Sequence, residues 1–159
     1  MKIAFKKMDE DEFKLFAKDS IKSSAEKLKG IRGVSDDEAL QEAERQFCSI
    51  LPQGKSTPNH CLYSLIDTSS KKKIGHLWYG TSKVGQSLQA YLYDIVIIKE
   101  CQRKGYGFQA LSLMEEEAKK MGVQRINLHV LGQNETAARL YRRLGYQVSV
   151  MNLFKKLAR

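Results

Sequence analysis

The sequence has few of the residues that mark several large protein classes. Its 159 residues include only two prolines and three cysteines. No apolar run approaches the ~20 residues that a membrane-spanning helix needs. The cysteines (Cys48, Cys61 and Cys101) lack metal-type spacing and leave one unpaired, so we expect no metal site and a reducing, cytoplasmic location. The apolar part of the first seven residues is too short for a signal peptide.

The composition is that of an ordinary globular protein. Hydrophobic residues make up 42% of the chain and charged residues 28%, and no linker, repeat or low-complexity segment divides it. We therefore predict a single domain over residues 1–159. The net charge of +9 reflects 27 basic and 18 acidic residues, and the basic residues are scattered without a nucleic-acid-binding motif. We expect no nucleic-acid or membrane partner, and a basic surface also suits a ligand with several phosphates.

One stretch organises the rest of the chain. The apolar run Ile95–Ile98 predicts a buried strand, and the apolar spacing over Gly107–Met121 predicts an amphipathic helix. Between them lies a turn with Arg103, Lys104 and Gly105. A diphosphate could bind at this turn. The unpaired amides at the helix start and the two cations would contact it, and a residue without a Cβ lets it approach the backbone. The alternative is a structural turn, since a strand-to-helix connection often needs glycine anyway.

Hydrophobic periodicity and turn residues predict the other elements. In order they are a strand, two helices, a meander of three strands, a helix, a strand, a helix and a final strand, which is an α/β (α+β) arrangement with one crossover. The predicted bounds are about 2–7, 10–28, 36–51, 60–66, 73–79, 88–98, 107–121, 125–130, 134–145 and 147–154.

Two motifs in the C-terminal half resemble those of a known family. The first is Gln102-x-x-Gly105-x-Gly107 after an apolar strand, and the second is Asn134-x-x-Ala137-x-x-Leu140-Tyr141-x-x-x-Gly145-Tyr146. They resemble motifs A and B of the GNAT acetyltransferases, and a pair in the right context is far more specific than either motif alone.

The resemblance implies a fold and a cofactor. The fold is a mixed, mostly antiparallel sheet of six to seven strands with four helices on both faces, and it splays between the two middle strands. The pantetheine arm of acetyl-CoA lies in that opening and pairs with Ile95, Val96 and Ile97. The other cofactor contacts that the resemblance assigns are Gln102, Arg103, Lys104, Gly105, Tyr106, Gly107, Asn134, Ala137 and Tyr141.

The implied reaction is direct transfer of an acetyl group to a primary amine in a ternary complex. Tyr141 aligns with the tyrosine that family members place beside the CoA sulfur, and its phenol can donate a proton at neutral pH. The alternative is a core aromatic. Asn134 fits both a helix cap and a CoA contact.

The general base is less well defined. His129 resembles a histidine that deprotonates the acceptor in some N-terminal-amine acetyltransferases, and a structural histidine is the alternative. Asp94 lies where the family often has an acidic residue, but Tyr93 stands where many members have glutamate. A structural role is open for Asp94 as well. The aromatic residues that could line the acceptor groove are Trp78, Tyr79, Tyr91 and Tyr93, and the alternative for each is packing in the core or on the surface.

Three functions therefore stay open from the sequence. The first is an acetyl-CoA-dependent N-acetyltransferase acting on a peptide N-terminus, a lysine or a small amine. The second is a non-catalytic acyl-CoA-binding or sensor domain of the same fold. The third is a basic nucleic-acid-associated module. The sequence identifies neither the acceptor nor the oligomeric state, and a homodimer is one option.

Overall fold

The computed structural model describes residues 2–158, and chain contacts divide it into two compact units, Met1–Leu128 and His129–Arg159. The first unit contains five strands, three helices and two single 3₁₀ turns. The second contains one helix. The strands are β1 (Ile3–Lys7), β2 (His60–Asp67), β3 (Lys73–Val84), β4 (Ser87–Ile97) and β5 (Arg125–Leu128). The helices are α1 (Glu10–Arg32), α2 (Asp36–Ile50), α3 (Tyr106–Lys120) and α4 (Glu135–Arg143), and the 3₁₀ turns are Gly54–Ser56 and Lys99–Cys101.

The five strands form one mixed sheet in the order β1-β2-β3-β4-β5. The first four strands are antiparallel neighbours, whereas β5 runs parallel to β4 after the crossover through α3. This is the mixed, mostly antiparallel α/β arrangement that the sequence predicts.

Local sequence signals determine where the first two helices begin. Asp9 and Glu12 form a capping box at the start of α1, and Ser35 and Glu38 form a second at the start of α2. Each box satisfies backbone N–H groups that have no partner inside the helix. Helix α1 continues past the predicted stop and ends where Gly33 takes a left-handed conformation with φ of 66°.

Helices cover both faces of the sheet. Phe13 and Phe16 of α1 and Phe47 of α2 pack with Leu62 and Trp78 in an aromatic-rich cluster on one face. The other face carries Tyr79, whose hydroxyl donates to Glu117 Oε2 of α3 at 3.4 Å. Trp78 and Tyr79 are neighbours in β3, and successive side chains of a strand point to opposite faces. The buried residues of α3 are Ala110, Leu111, Met114 and Ala118.

The prediction of a final strand over 147–154 is wrong. Residues 147–158 have no regular secondary structure, so the described residues contain five strands instead of six to seven. In addition, β5 ends at Leu128 rather than near Val130. The 147–158 segment has the alternating apolar pattern of a strand, but a strand also needs a partner for its backbone groups. Its exposed apolar side chains are Val148, Val150, Met151, Leu153, Phe154 and Leu157.

Gly75 of β3 provides a test of the β3–β4 pairing. A Cβ at this position would lie 2.0 Å from the backbone oxygen of Val96. We expect Gly75→Ala to reduce the free energy of unfolding by about 3 kcal/mol, because backbone atoms cannot yield as a flexible side chain can. Urea denaturation measures the change.

Gly30→Ala is the matched control. Gly30 lies within α1, and a Cβ there would meet nothing within 4 Å. Alanine should therefore stabilise the helix by roughly 0.5–1 kcal/mol. Equal effects of the two substitutions would contradict the close approach of β3 and β4.

Candidate functional site

The end of β4 has a strand neighbour on one side only. Pairing with β5 runs from Gln89 opposite Arg125 to Leu92 opposite Leu128 and then stops. Among residues 2–158, the stretch from Asp94 to Ile97 pairs with β3 alone. A shift in the β3–β4 register at this point leaves Tyr93 without an opposite residue, which is a bulge of the kind that bends a strand. One edge of β4 therefore offers backbone groups to a ligand.

A tight basic turn follows this open edge. Arg103 and Gly105 both adopt left-handed backbone conformations, with φ of 63° and 81°, and Gly105 precedes α3 without any side-chain cap. The amides of Tyr106 and Gly107 have no acceptor inside the helix, and the helix dipole is positive here. The side chains of Arg103 and Lys104 are exposed. This combination favours an anionic ligand such as a phosphate.

Two side chains hold the turn in place. Gln102 Nε2 donates to the backbone oxygen of Ile97 at 2.9 Å, which fixes the start of the turn to the end of β4. The hydroxyl of Tyr106 donates to Asp67, whose carboxylate also accepts from the amides of Ser69 and Ser70. These hydrogen bonds, with that from Tyr106 the largest cause, lower the pKa of Asp67. The side chains of Gln102 and Tyr106 therefore position the turn.

Asp94 lies on the open part of β4 and has a partner that the sequence analysis missed. His76 Nε2 lies 2.8 Å from Asp94 Oδ2, and both side chains are half-buried. The His76 ring and Phe16 of α1 form an edge-to-face pair with ring centroids 4.9 Å apart. Pairing β3 with β4 residue by residue from their connecting turn places His76 near Asp94, so the sequence contained a signal for this pair.

Aromatic rings surround this pair on the same face of the sheet. Trp78 stacks on Tyr93 with centroids 4.5 Å apart, and Tyr91 lies 4.8 Å from Tyr93. The Nε1–H of Trp78 donates to Nδ1 of His60 at 3.0 Å. The prediction that Tyr79 lines the same groove is wrong, because Tyr79 is fully buried on the opposite face beside α3.

The remaining predicted site residues belong to the second unit. His129 is exposed and lies just after the end of β5, not within a strand as predicted. Asn134 caps α4, since its Oδ1 accepts from the amide of Ala137 at 3.2 Å, which confirms the capping interpretation. Tyr141 is half-buried on α4, and its ring lies edge-to-face with Tyr146 at 5.6 Å.

The structure thus groups the predicted residues into two sets. Asp94 to Gly107 follow one continuous strand, turn and helix of the first unit, whereas Asn134, Ala137 and Tyr141 share one helix of the second. Among residues 2–158, no group of three acidic, histidine or cysteine side chains is arranged to hold a metal ion.

Comparisons with known proteins identify the family. The profile of the Acetyltransferase (GNAT) family matches residues 28–146. The chain belongs to the GNAT acetyltransferase family. YycN of Bacillus subtilis, named as an uncharacterized N-acetyltransferase, is 32% identical over 99% of this chain and 100% of its own length. YdgE of the same organism, named in the same way, is 26% identical over 99% of both chains.

Solved structures agree with this GNAT assignment. The crystal structure of YycN superposes with a TM-score of 0.91 at 30% identity and covers 99% of each chain. An aminoglycoside acetyltransferase from an uncultured soil metagenomic sample, solved with sisomicin, has a TM-score of 0.61 at 13% identity and covers 99% of this chain and 97% of its own. That second likeness concerns the fold alone. Within residues 2–158 of this GNAT protein, no helix has the length and apolar character required to cross a membrane.

His60 makes folding stability depend on pH. Burial lowers its pKa from 6.5, and the hydrogen bond from Trp78 requires an unprotonated Nδ1. The unfolded chain binds a proton more readily, so the stabilisation is fully present above about pH 6.5 and declines as the pH falls towards the folded-state pKa. We expect the free energy of unfolding to decrease between pH 7 and pH 5, roughly the range in which histidine titrates.

Urea denaturation across this pH range tests the assignment. The His60→Gln variant keeps an acceptor for Trp78 but does not titrate, and it should show a shallower decrease. An unchanged slope in the His60→Gln variant would contradict the assignment.

Proposed function

We propose that the protein transfers the acetyl group of acetyl-CoA directly to the nitrogen of a primary amine in a ternary complex. The observation that carries this proposal is the continuity between the one-sided end of β4 and the uncapped, basic start of α3. The relatives named as N-acetyltransferases support a nitrogen acceptor.

In this proposal the first unit binds two parts of CoA, the diphosphate and the pantetheine arm, through different contacts. The diphosphate is held by the amides of Tyr106 and Gly107 and by the cations Arg103 and Lys104. The pantetheine amides extend the sheet along Ile95 and the amide of Ile97, whose backbone groups point away from β3, as an added strand would. The backbone of Val96, part of the predicted contact, instead faces β3. Because Gln102 already occupies the Ile97 oxygen, the added strand ends where the turn begins.

The chemistry makes three demands on the remaining groups. The amine must lose a proton before attack, since a lysine-type amine has a pKa of ~10.4. A hydrogen-bond donor must stabilise the oxyanion that forms when nitrogen attacks the thioester carbonyl. The departing CoA thiolate then takes a proton. We assign Tyr141 as the proton donor, supported by motif B, and Asp94 or His129 as the base.

Charge reversal tests the diphosphate site. The Arg103→Glu, Lys104→Glu double variant should weaken CoA binding at least about tenfold, because two phosphate contacts become repulsive. Isothermal titration calorimetry with CoA measures this. The matched control is Lys22→Glu with Lys27→Glu, which changes the net charge equally at exposed positions of α1. Equal weakening in both variants would show that only the overall charge matters.

Removal of one hydroxyl tests the proton donor. Tyr141→Phe should lower kcat by roughly a hundredfold, the lower end of what a positioned acid contributes, and should leave CoA affinity unchanged. Tyr146→Phe removes the hydroxyl of the neighbouring ring and should retain activity. Acetylated product from an amine panel is measured by mass spectrometry. Full activity in the Tyr141→Phe variant would exclude this role.

The same panel separates an enzyme from a binding domain. Tight CoA binding with no acetylated amine would favour the non-catalytic acyl-CoA-binding alternative. A phosphate site with several contacts should have a dissociation constant well below tens of micromolar. The absence of CoA binding at tens of micromolar would therefore exclude both the enzyme and the acyl-CoA-binding domain.

A further inference from the structure

The C-terminal half of β4, from the last residues paired with β5 into the open part, presents a short row of side chains on the face that also carries α1 and α2. We call this row, Tyr91, Tyr93, Asp94 and Val96, the β4 strip. Tyr91, Tyr93 and Val96 keep 38%, 37% and 41% of their surface exposed. Large hydrophobic side chains exposed next to one another often mark a binding site.

The pairing geometry shows that the β4 strip is continuous. Asp94 lies opposite Trp78 and Val96 lies opposite His76, so their side chains share one face. The bulge brings Tyr93 to this face as well, where its ring approaches the position that a Gly80 Cβ would occupy to within 3.2 Å. The absence of a Gly80 side chain therefore leaves room for the aromatic wall.

Asp94 is the only charged member of the strip, and one of its oxygens is occupied. His76 Nε2 interacts with Oδ2, which leaves Oδ1 without a hydrogen-bond partner among residues 2–158. The His76 ring is itself fixed by Phe16 and lies across from Ser64 in the β2–β3 pairing. Asp94 is therefore presented in a defined orientation beside aromatic rings.

The other charged groups near this pair already have partners. Glu12 of α1 accepts from the hydroxyl of Ser64 at 3.1 Å and from the amide of Asp9, and it forms an ion pair with Lys6 of β1 at 3.5 Å. A single carboxylate in an apolar row matches one ammonium group next to an apolar body. A polycation has no second carboxylate on the strip, and the net charge of +9 repels it.

We propose that the β4 strip is the acceptor subsite and selects a primary amine whose ammonium is flanked by an apolar or aromatic group. Asp94 Oδ1 pairs with the ammonium, Tyr91, Tyr93 and Val96 contact the apolar group, and His76 is a positioning residue that orients Asp94. This inference rests on the proposed acetyl transfer and adds the class of acceptor.

Steady-state kinetics with small amines tests the selection. We expect kcat/KM for 2-phenylethylamine to exceed that for ethanolamine and for spermidine at least about tenfold, since the ring adds apolar contact area. Tyr93→Ser should reduce this ratio, and Val84→Ser, an exposed apolar position outside the strip, should preserve it. A preference for ethanolamine or spermidine, or an unchanged ratio in the Tyr93→Ser variant, would overturn the proposal.

Two substitutions of His76 test its positioning role. His76→Leu removes the donor and should raise the KM for 2-phenylethylamine by roughly five- to tenfold, with a smaller change in kcat. His76→Gln places an amide N–H near the former Nε2 and should restore KM to within about threefold of the parent value. Equal loss in both variants, with kcat and KM changed alike, would indicate a merely structural histidine.

Direct binding separates this inference from the proposed function. Calorimetry of 2-phenylethylamine with the CoA-saturated protein should show binding that Asp94→Asn weakens. If no amine is acetylated but this binding occurs, the proposed function fails and the subsite remains. If amines are acetylated without this preference, the subsite fails alone. A Tyr93→Ser variant that changes only the oligomeric state, measured by light scattering, would make the strip a contact between copies and overturn the proposal.

Discussion

The register between β3 and β4 is the constraint on which the rest of the site depends. One extra residue at Tyr93 shifts the pairing, so Asp94 and Val96 lie opposite Trp78 and His76. Because side chains alternate along a strand, a further slip of one residue would turn Asp94 towards the α3 face. Beyond Leu92, β4 has no pairing with β5. The bulge therefore lies where one edge of β4 is open to a ligand.

The two ends of this segment have contrasting electrostatics. The turn after β4 carries two exposed cations and unpaired amides at the start of α3, which suits a ligand with several negative charges. The β4 strip presents one carboxylate among apolar side chains. This separation fits the proposed acetyl transfer from an anionic donor to a cationic acceptor, because each substrate then has its own charge partner.

Much of the sheet, and the strand, turn and helix start around Gln102, were predictable because their signals are local. The Ser35 capping box predicts the start of α2, the apolar run at Ile95 predicts a strand, and the glycines after Gln102 predict the turn before α3. The pair of His76 and Asp94 was not predicted, because the two residues lie on different strands and meet only through the register. The predicted strand over 147–154 shows the complementary error, in which a local pattern lacks the partner it requires.

Backbone NMR of the ¹⁵N-labelled protein during titration with CoA tests the central claim most directly. We expect the largest shifts at the amides of Tyr106 and Gly107, with further changes at the amides of Ile95 and Ile97, which face the open edge. Saturable shifts centred on another part of the chain, with these four amides unaffected, would contradict it.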